Sequence, residues 1–254
     1  MLQPWVKGIV TKVTDETAAT RRFLIQVPEW GNFLFEPGQF VTLDLPIHEK
    51  KNKRWRSYSI ASWPNGTNEF ELVIVKLEGG TGTSWLWENG HVGSEITLRG
   101  PAGNFVMPTT LDRDLYLICT GTGIAPFRSM VHHLKNKNIP HKNIYLVFGT
   151  RVGGDLLYQT EMNQLEKELE GFYYLPVCSR EPAENPQKLR TGYVHGIYET
   201  LVQKASAQQN GEESGTPPPA YFYLCGWRNM IDEARQRLTQ LGYDKKSIHF
   251  ELYG

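Results

Sequence analysis

A chain of 254 residues with 27 basic and 27 acidic side chains, formal net charge +0 and 40% hydrophobic residues can form two domains, each burying its own core. That balance excludes recruitment of nucleic acid or a membrane surface by a long-range field, so any charged partner must meet a local patch. Three scattered cysteines, Cys119, Cys178 and Cys225, exclude a disulfide framework and a four-thiolate metal site; with no leader-like apolar start and no apolar run of about eighteen residues, a soluble, cytoplasmic, metal-free protein is expected.

From Trp5 to Pro108 the apolar residues alternate over short runs: VKGIVTKV, RRFLIQV, QFVTLDL, RSYSIAS, FELVIVKL and EITLRG. These read as six strands parted by turn clusters such as EPGQ and WPNGTN, a spacing that predicts an antiparallel barrel or sandwich. Helical pattern is confined there to a stretch near TSWLWENG. After Thr110 strand and helix take turns. DLYLICT precedes IAPFRSMVHHLKNK, NIYLVFG precedes a stretch ending in EMNQLEKELEG, FYYLPVCS precedes YVHGIYETLVQKA, and YFYLCG precedes WRNMIDEARQRLTQLG. The final run, IHFELYG, alternates Ile248, Phe250 and Leu252 around Glu251 and reads as a strand running to the end. Five strands with four helical crossovers predict a parallel sheet covered on both faces. The boundary is placed in MPTTLDR, giving domains 1–109 and 110–254, and QKASAQQNGEESGTPPP reads as a surface loop.

GTGIAPF, Gly121 to Phe127, lies where the first parallel strand yields to a helix. Glycines there permit close backbone approach, and the helix N-terminus offers amides and a positive dipole end to a pyrophosphate. The segment serves equally as an ordinary strand-to-helix turn. RSYS, Arg56 to Ser59, offers a guanidinium for a phosphate, a ring for stacking and a hydroxyl. Separately, Arg56 also reads as a surface strand residue, Tyr58 as a core aromatic and Cys225 as a small buried filler.

Taken in order, RSYSIAS, GGTGTSWL, GPAGNF at Gly100 to Phe105, GTGIAP and Cys225-Gly226 resemble the ferredoxin–NADP reductase superfamily over nearly the whole chain. The resemblance implies an antiparallel six-stranded FAD-binding β-barrel followed by a parallel-sheet α/β domain for a pyridine nucleotide. Arg56 would then bind the FAD pyrophosphate, Tyr58 would stack on the isoalloxazine, and Ser59 would hydrogen-bond its reducible nitrogen. Gly82, Thr83 and Ser84 would offer amides and hydroxyls to the same pyrophosphate, and Val75 and Lys76 would line the flavin edge. Gly121, Thr122 and Gly123 would receive the nicotinamide nucleotide, with Cys225 and Gly226 against the nicotinamide.

Ser179 and Arg180 match a Ser-Arg pair of superfamily members that use NADP, and Arg151 in FGTR has a counterpart in some bacterial ones. Lys188, Arg190 and Tyr193 add donors and a face for adenine, whereas Glu181 and Glu184 weigh against a phosphate. NADPH is therefore expected rather than NADH. With no cysteine cluster for an iron–sulfur centre, the electron acceptor is expected to be a separate ferredoxin or flavodoxin. Lys50, Lys51, Lys53 and Arg54 in HEKKNKRWR would steer such an acidic carrier, unless they form only a solvated loop. The rival readings are an NADH-dependent reductase component of an oxygenase, a free flavin or ferric reductase, and a non-catalytic binding subunit; a monomer is expected. By the same resemblance Tyr253 would stack on the flavin face that the nicotinamide must occupy, and Glu251 with Ser59 would relay a proton. Gly254 departs from the pattern, since plant-type chains end on the aromatic residue.

Overall fold

The computed structural model describes residues 3–182, 189–210 and 217–253. Two compact units emerge: residues 1–107 with 125–138, and residues 108–124 with 139–254.

In the first unit, β1 (Val6–Thr17), β2 (Thr20–Gln26), β3 (Phe40–Asp44), β4 (Trp55–Ser59), β5 (Glu69–Val75) and β6 (Glu95–Ala102) form a six-stranded antiparallel sheet in the order β4-β3-β6-β1-β2-β5. Period-two alternation explains it. Phe23 and Ile25 of β2, Leu43 of β3, Phe70 and Leu72 of β5 and Leu98 of β6 all point into one core and are almost fully buried. The two outermost strands meet just beyond β4, where the Ala61 amide donates to the Glu71 carbonyl at 2.8 Å. Helix α1 (Thr81–Asn89) joins β5 to β6 and sends Leu86 into the same core.

Helix α2 (Ile124–Lys137) belongs by chain order to the second half, yet its residues 125–138 group with the first unit. Burial supplies the reason. Phe127 lies 5.9 Å from the Phe105 ring, and Arg128 pairs with Glu71 at 3.1 Å.

The second unit is built on β7 (Asp114–Thr120), β8 (Ile144–Thr150), β9 (Phe172–Cys178), β10 (Arg190–Thr191), β11 (Ala220–Trp227) and β12 (Ile248–Tyr253), all parallel, in the order β10-β9-β8-β7-β11-β12. The two-residue β10 adds a sixth strand to the five expected; a run so short carries no periodicity. Helices α3 (Gln159–Glu168), α4 (Val194–Asn210) and α5 (Arg228–Gln240) make crossovers. Val194, Tyr198 and Val202 of α4 and Ile231, Ala234 and Leu238 of α5 pack with Ile118, Val147 and Leu224 of the sheet. α4 runs to Asn210, so residues 203–210 are helical rather than loop, in keeping with the helix propensity of Gln203, Lys204, Ala205 and Ala207; residues 211–216 lie outside the described residues. From β7 the chain steps outward through β8 and β9, then returns to β11 on the other side of β7. The neighbours β7 and β11 thus flank the point where strand order reverses, the position at which open parallel sheets bind ligands. Among the described residues no helix is long and apolar enough to cross a membrane.

Candidate functional site

Arg56, Tyr58 and Ser59 lie on β4, paired with Leu43, Val41 and Phe40 of β3. Arg56 Nη1 donates to the Lys53 and Trp55 carbonyls at 3.1 and 2.8 Å, which steadies its guanidinium. A Cβ on Gly82 would sit 3.1 Å from both Cγ and Nε of Arg56, so the arginine stem lies across the start of α1 and a side chain at 82 would press on it. No side chain caps α1 and its first turn carries no acid, which leaves the amides of Thr81, Gly82 and Thr83 without intrahelical partners by helix geometry. Cation and amides together fit an anionic phosphate. Burial pushes the Tyr58 hydroxyl up to about 12, against the opposing pull of Arg56, so the ring stays neutral. Ser59 is buried.

Two expected donors are spent differently. The Ser84 amide donates to the Gly80 carbonyl at 2.9 Å as the first α-helical bond, leaving Ser84 its hydroxyl. The Thr83 hydroxyl accepts from the Leu77 amide and donates to the Gly80 carbonyl, both at 3.1 Å, so it shapes the turn before the helix. Val75 ends β5 and is partly buried, while Lys76 is exposed. In the basic run, Lys50, Lys51 and Lys53 are exposed, but Arg54 pairs with Asp44 at 2.7 Å and fastens the loop to β3.

At the switch point of the second unit, β7 leads through Gly121–Gly123 toward α2, and β11 carries Cys225-Gly226 near its end. The two segments touch. A Cβ on Gly123 would overlap the Cys225 carbonyl oxygen and lie 3.1 Å from the Gly226 nitrogen, and one on Gly226 would overlap the Thr120 hydroxyl. Gly121 instead has open space about it and a φ of +54°, a left-handed turn that glycine adopts freely. Open space at the Gly121 Cα beside two segments in contact fits a pyrophosphate or ribose approaching the backbone.

Cys225, Glu251 and Tyr253 come together. Parallel register sets Cys225 of β11 beside Glu251 of β12, with Tyr253 opposite Trp227 two residues on. The thiol is fully buried, and burial first, then the Glu251 charge, hold its pKa well above the usual range. Cys225 is thus a neutral buried thiol beside Glu251, close to the filler reading of its residue type. Ser59 lies in the other unit. Gly254 is outside the described residues.

The C-terminal ends of β8 and β9 bring the two arginines together. The Ser179 amide donates to the Thr150 carbonyl at 3.0 Å and the Arg180 amide to the Arg151 carbonyl at 2.9 Å, with both arginine side chains exposed. Glu181 turns aside, its Oε2 accepting from the Gly153 amide at 2.6 Å. Sequence reasoning missed this cap, because Gly153 and Glu181 are far apart in the chain. Arg190 forms half of β10, and Tyr193, 71% exposed, stands just before α4. A cavity of about 670 Å³ between α4 and α5 opens beside Tyr193, with His195, Glu199, Glu233 and Arg237 in its walls. Arg237 reaches Glu199 at 3.0 Å and Glu233 at 2.8 Å. Lys188 and Glu184 lie outside the described residues.

Residues 7–107 match an oxidoreductase FAD-binding domain and residues 117–236 an oxidoreductase NAD-binding domain. A ferredoxin–NADP reductase B of Sorangium cellulosum is 32% identical over 87% of this chain and 86% of its own. The reductase subunit of a Chromohalobacter salexigens glycine betaine monooxygenase is 28% identical over 99% of this chain, which spans 66% of that longer protein. Among solved structures, an Amycolatopsis cytochrome P450 reductase superposes with a TM-score of 0.82 at 26% identity, over 98% of this chain and 70% of its own.

Proposed function

Since the chain belongs to the ferredoxin–NADP reductase superfamily of flavoenzymes, we propose that it moves electrons between NADPH and a separate one-electron carrier, a ferredoxin or a flavodoxin. The observation that carries this reading is the contact of the Gly121–Gly123 turn with Cys225-Gly226 at the switch point, which leaves open backbone at Gly121 where a nucleotide would enter. FAD, when bound, supplies two-electron acceptance from a reduced nicotinamide and release of single electrons.

The chain's own residues bind, orient and handle protons. Arg56 and the first amides of α1 hold the FAD pyrophosphate, Tyr58 packs its neutral ring on the flavin, and Ser59 donates a hydrogen bond to it. Gly121, Thr122 and Gly123 hold the nicotinamide nucleotide. Arg151, Ser179 and Arg180 hold the ribose phosphate that distinguishes NADPH from NADH, and Tyr193 offers its exposed ring to adenine. Glu251 carries a proton to Ser59, and Tyr253 occupies the nicotinamide position until the substrate displaces it. Lys50, Lys51 and Lys53 steer an acidic carrier.

The test is the absorbance of the purified protein during anaerobic titration with NADPH and, separately, NADH. A yellow protein bleached by NADPH at lower concentration than by NADH supports the reading; a colourless protein that binds no FAD sinks it. A second reading, an NADH-dependent reductase component of an oxygenase, is favoured by the likeness to the monooxygenase reductase subunit. Preference for NADH, with slow reduction of ferredoxin and flavodoxin, would decide for it.

A further inference from the structure

Arg128 on α2 is only 6% exposed. An arginine is rarely so deep unless it is paired, and an apolar residue of like volume would seat a helix at least as well. What the guanidinium touches explains its presence. Nη1 donates to the Ala61 carbonyl at 3.0 Å and to Glu71 Oε1 at 3.1 Å. Ala61 lies two residues past Ser59, and Glu71 lies on β5. The Ala61 amide bonds the Glu71 carbonyl at 2.8 Å, and the Glu71 amide donates to Ser62 Oγ at 2.9 Å. Arg128 therefore bridges the seam where the two outer strands of the antiparallel sheet meet, at the exit of the strand that carries Arg56, Tyr58 and Ser59.

The surroundings hold it there. Trp63, the next residue along the seam, stacks on His132 of α2 at 3.8 Å, and the Arg128 guanidinium lies 5.2 Å from the Trp63 ring centre. Glu71 is also 3.8 Å from Arg22, which pairs with Glu16 at 2.9 Å. Two cations and two carboxylates make the cluster neutral. An apolar side chain at 128 could fill the space, but it could not hold the Ala61 carbonyl and the Glu71 carboxylate at one point.

We propose that Arg128 is a positioning residue for the flavin-binding strand: by bridging Ala61 and Glu71 it sets the end of β4 and thereby the place of Ser59 and Tyr58 against FAD. The inference rests on the FAD reading above.

The experiment compares the full-length wild type with Arg128→Met, Arg128→Lys and the double variant Glu71→Gln/Arg128→Met. FAD dissociation constants, the absorption envelope of bound flavin and the melting temperature of the apoprotein are measured for each. Arg128→Met is expected to raise the FAD dissociation constant about tenfold and alter the flavin envelope, as fits loss of one charge-assisted bond. The double variant, which no longer buries a carboxylate stripped of its Arg128 partner, is expected to regain most of the melting temperature but not the FAD affinity. Arg128→Lys is expected to fall between, because its ammonium keeps the charge and several donors but sits on a side chain one atom shorter than the one that carries Nη1. If the double variant regains affinity together with stability, or if every variant binds FAD as the wild type does, the positioning role is overturned. A wild type that binds no FAD overturns the cofactor reading and this one with it.

Discussion

Replacing Gly123 with alanine sets a methyl group against backbone, where no rotamer can yield. The added Cβ would overlap the Cys225 carbonyl oxygen and stand 2.7 Å from its carbon and 3.1 Å from the Gly226 nitrogen. Either the Gly121–Gly123 turn or the end of β11 must move. Overpacking a core costs about 1–3 kcal/mol, and with backbone opposite the methyl the upper end applies. In a chain of this size ~3 kcal/mol lowers the melting temperature by roughly 6–12 °C. Gly121→Ala is the control within the same turn. Its Cβ would meet no atom within 4 Å at a φ of +54°, so it carries only left-handed strain of about 1–2 kcal/mol, or roughly 2–8 °C. The assay is thermal unfolding of both apoproteins by circular dichroism, followed by equilibrium binding of NADP+. Gly123→Ala should melt lower and bind more than about tenfold more weakly if, as proposed, the displaced turn holds the nucleotide. Equal melting temperatures for wild type and Gly123→Ala, with NADP+ affinity kept, would refute the contact between the two segments.

Removing Arg151 and Arg180 together should lower the NADPH-to-NADH ratio of kcat/KM by at least about tenfold, the low end for charge-assisted bonds because both side chains are exposed; an unchanged ratio assigns the phosphate elsewhere. Lys51→Glu with Lys53→Glu should slow reduction of an acidic carrier about tenfold and flatten its salt dependence, whereas reduction of a small neutral acceptor stays constant; equal effects on both acceptors would remove the docking role. Tyr253→Ser should raise apparent nicotinamide affinity by about 2–10-fold, the worth of the ring stack it no longer forms, and an unmoved constant in titration with NADP+ would end the gate. Burial holds the Cys119 and Cys225 thiols well above the usual range and raises Cys178. Their contribution to stability is complete below the unfolded thiol pKa, near the reference 9.0, and is lost as pH rises through the folded values. Melting temperature should therefore fall above about pH 9, and Cys119→Ala should shallow that slope; a flat profile between neutral and alkaline pH would contradict the burial.

The local placement of the candidate site segments was legible because it is written in local pattern. RSYS sits on a strand since Arg56, Tyr58 and their neighbours alternate, and GTG sits at a strand-to-helix turn since an apolar run ends and helical spacing begins. The fates of individual donors were not legible. Glu181 weighed against a phosphate in the chain, but in space its carboxylate caps Gly153. Arg54 counted toward a basic patch, but Asp44 takes it up. Ser84 and Thr83 were equal candidates until helix geometry spent one amide and turn geometry one hydroxyl. Each outcome depends on a partner whose distance in sequence carries no periodic signal.

The same line divides the fold. Residue pattern by itself determined that an alternating half precedes a strand-helix half, because side-chain period reports which face of an element is buried. Tertiary structure alone decided that α2 packs with the antiparallel sheet, that Arg151 and Arg180 stand adjacent at the ends of neighbouring parallel strands, and that Cys225 is buried beside Glu251. The physical reason is that periodicity tells a residue to be buried without saying against what. The partner is chosen by strand order, register and charge pairing, which exist only once the chain has folded.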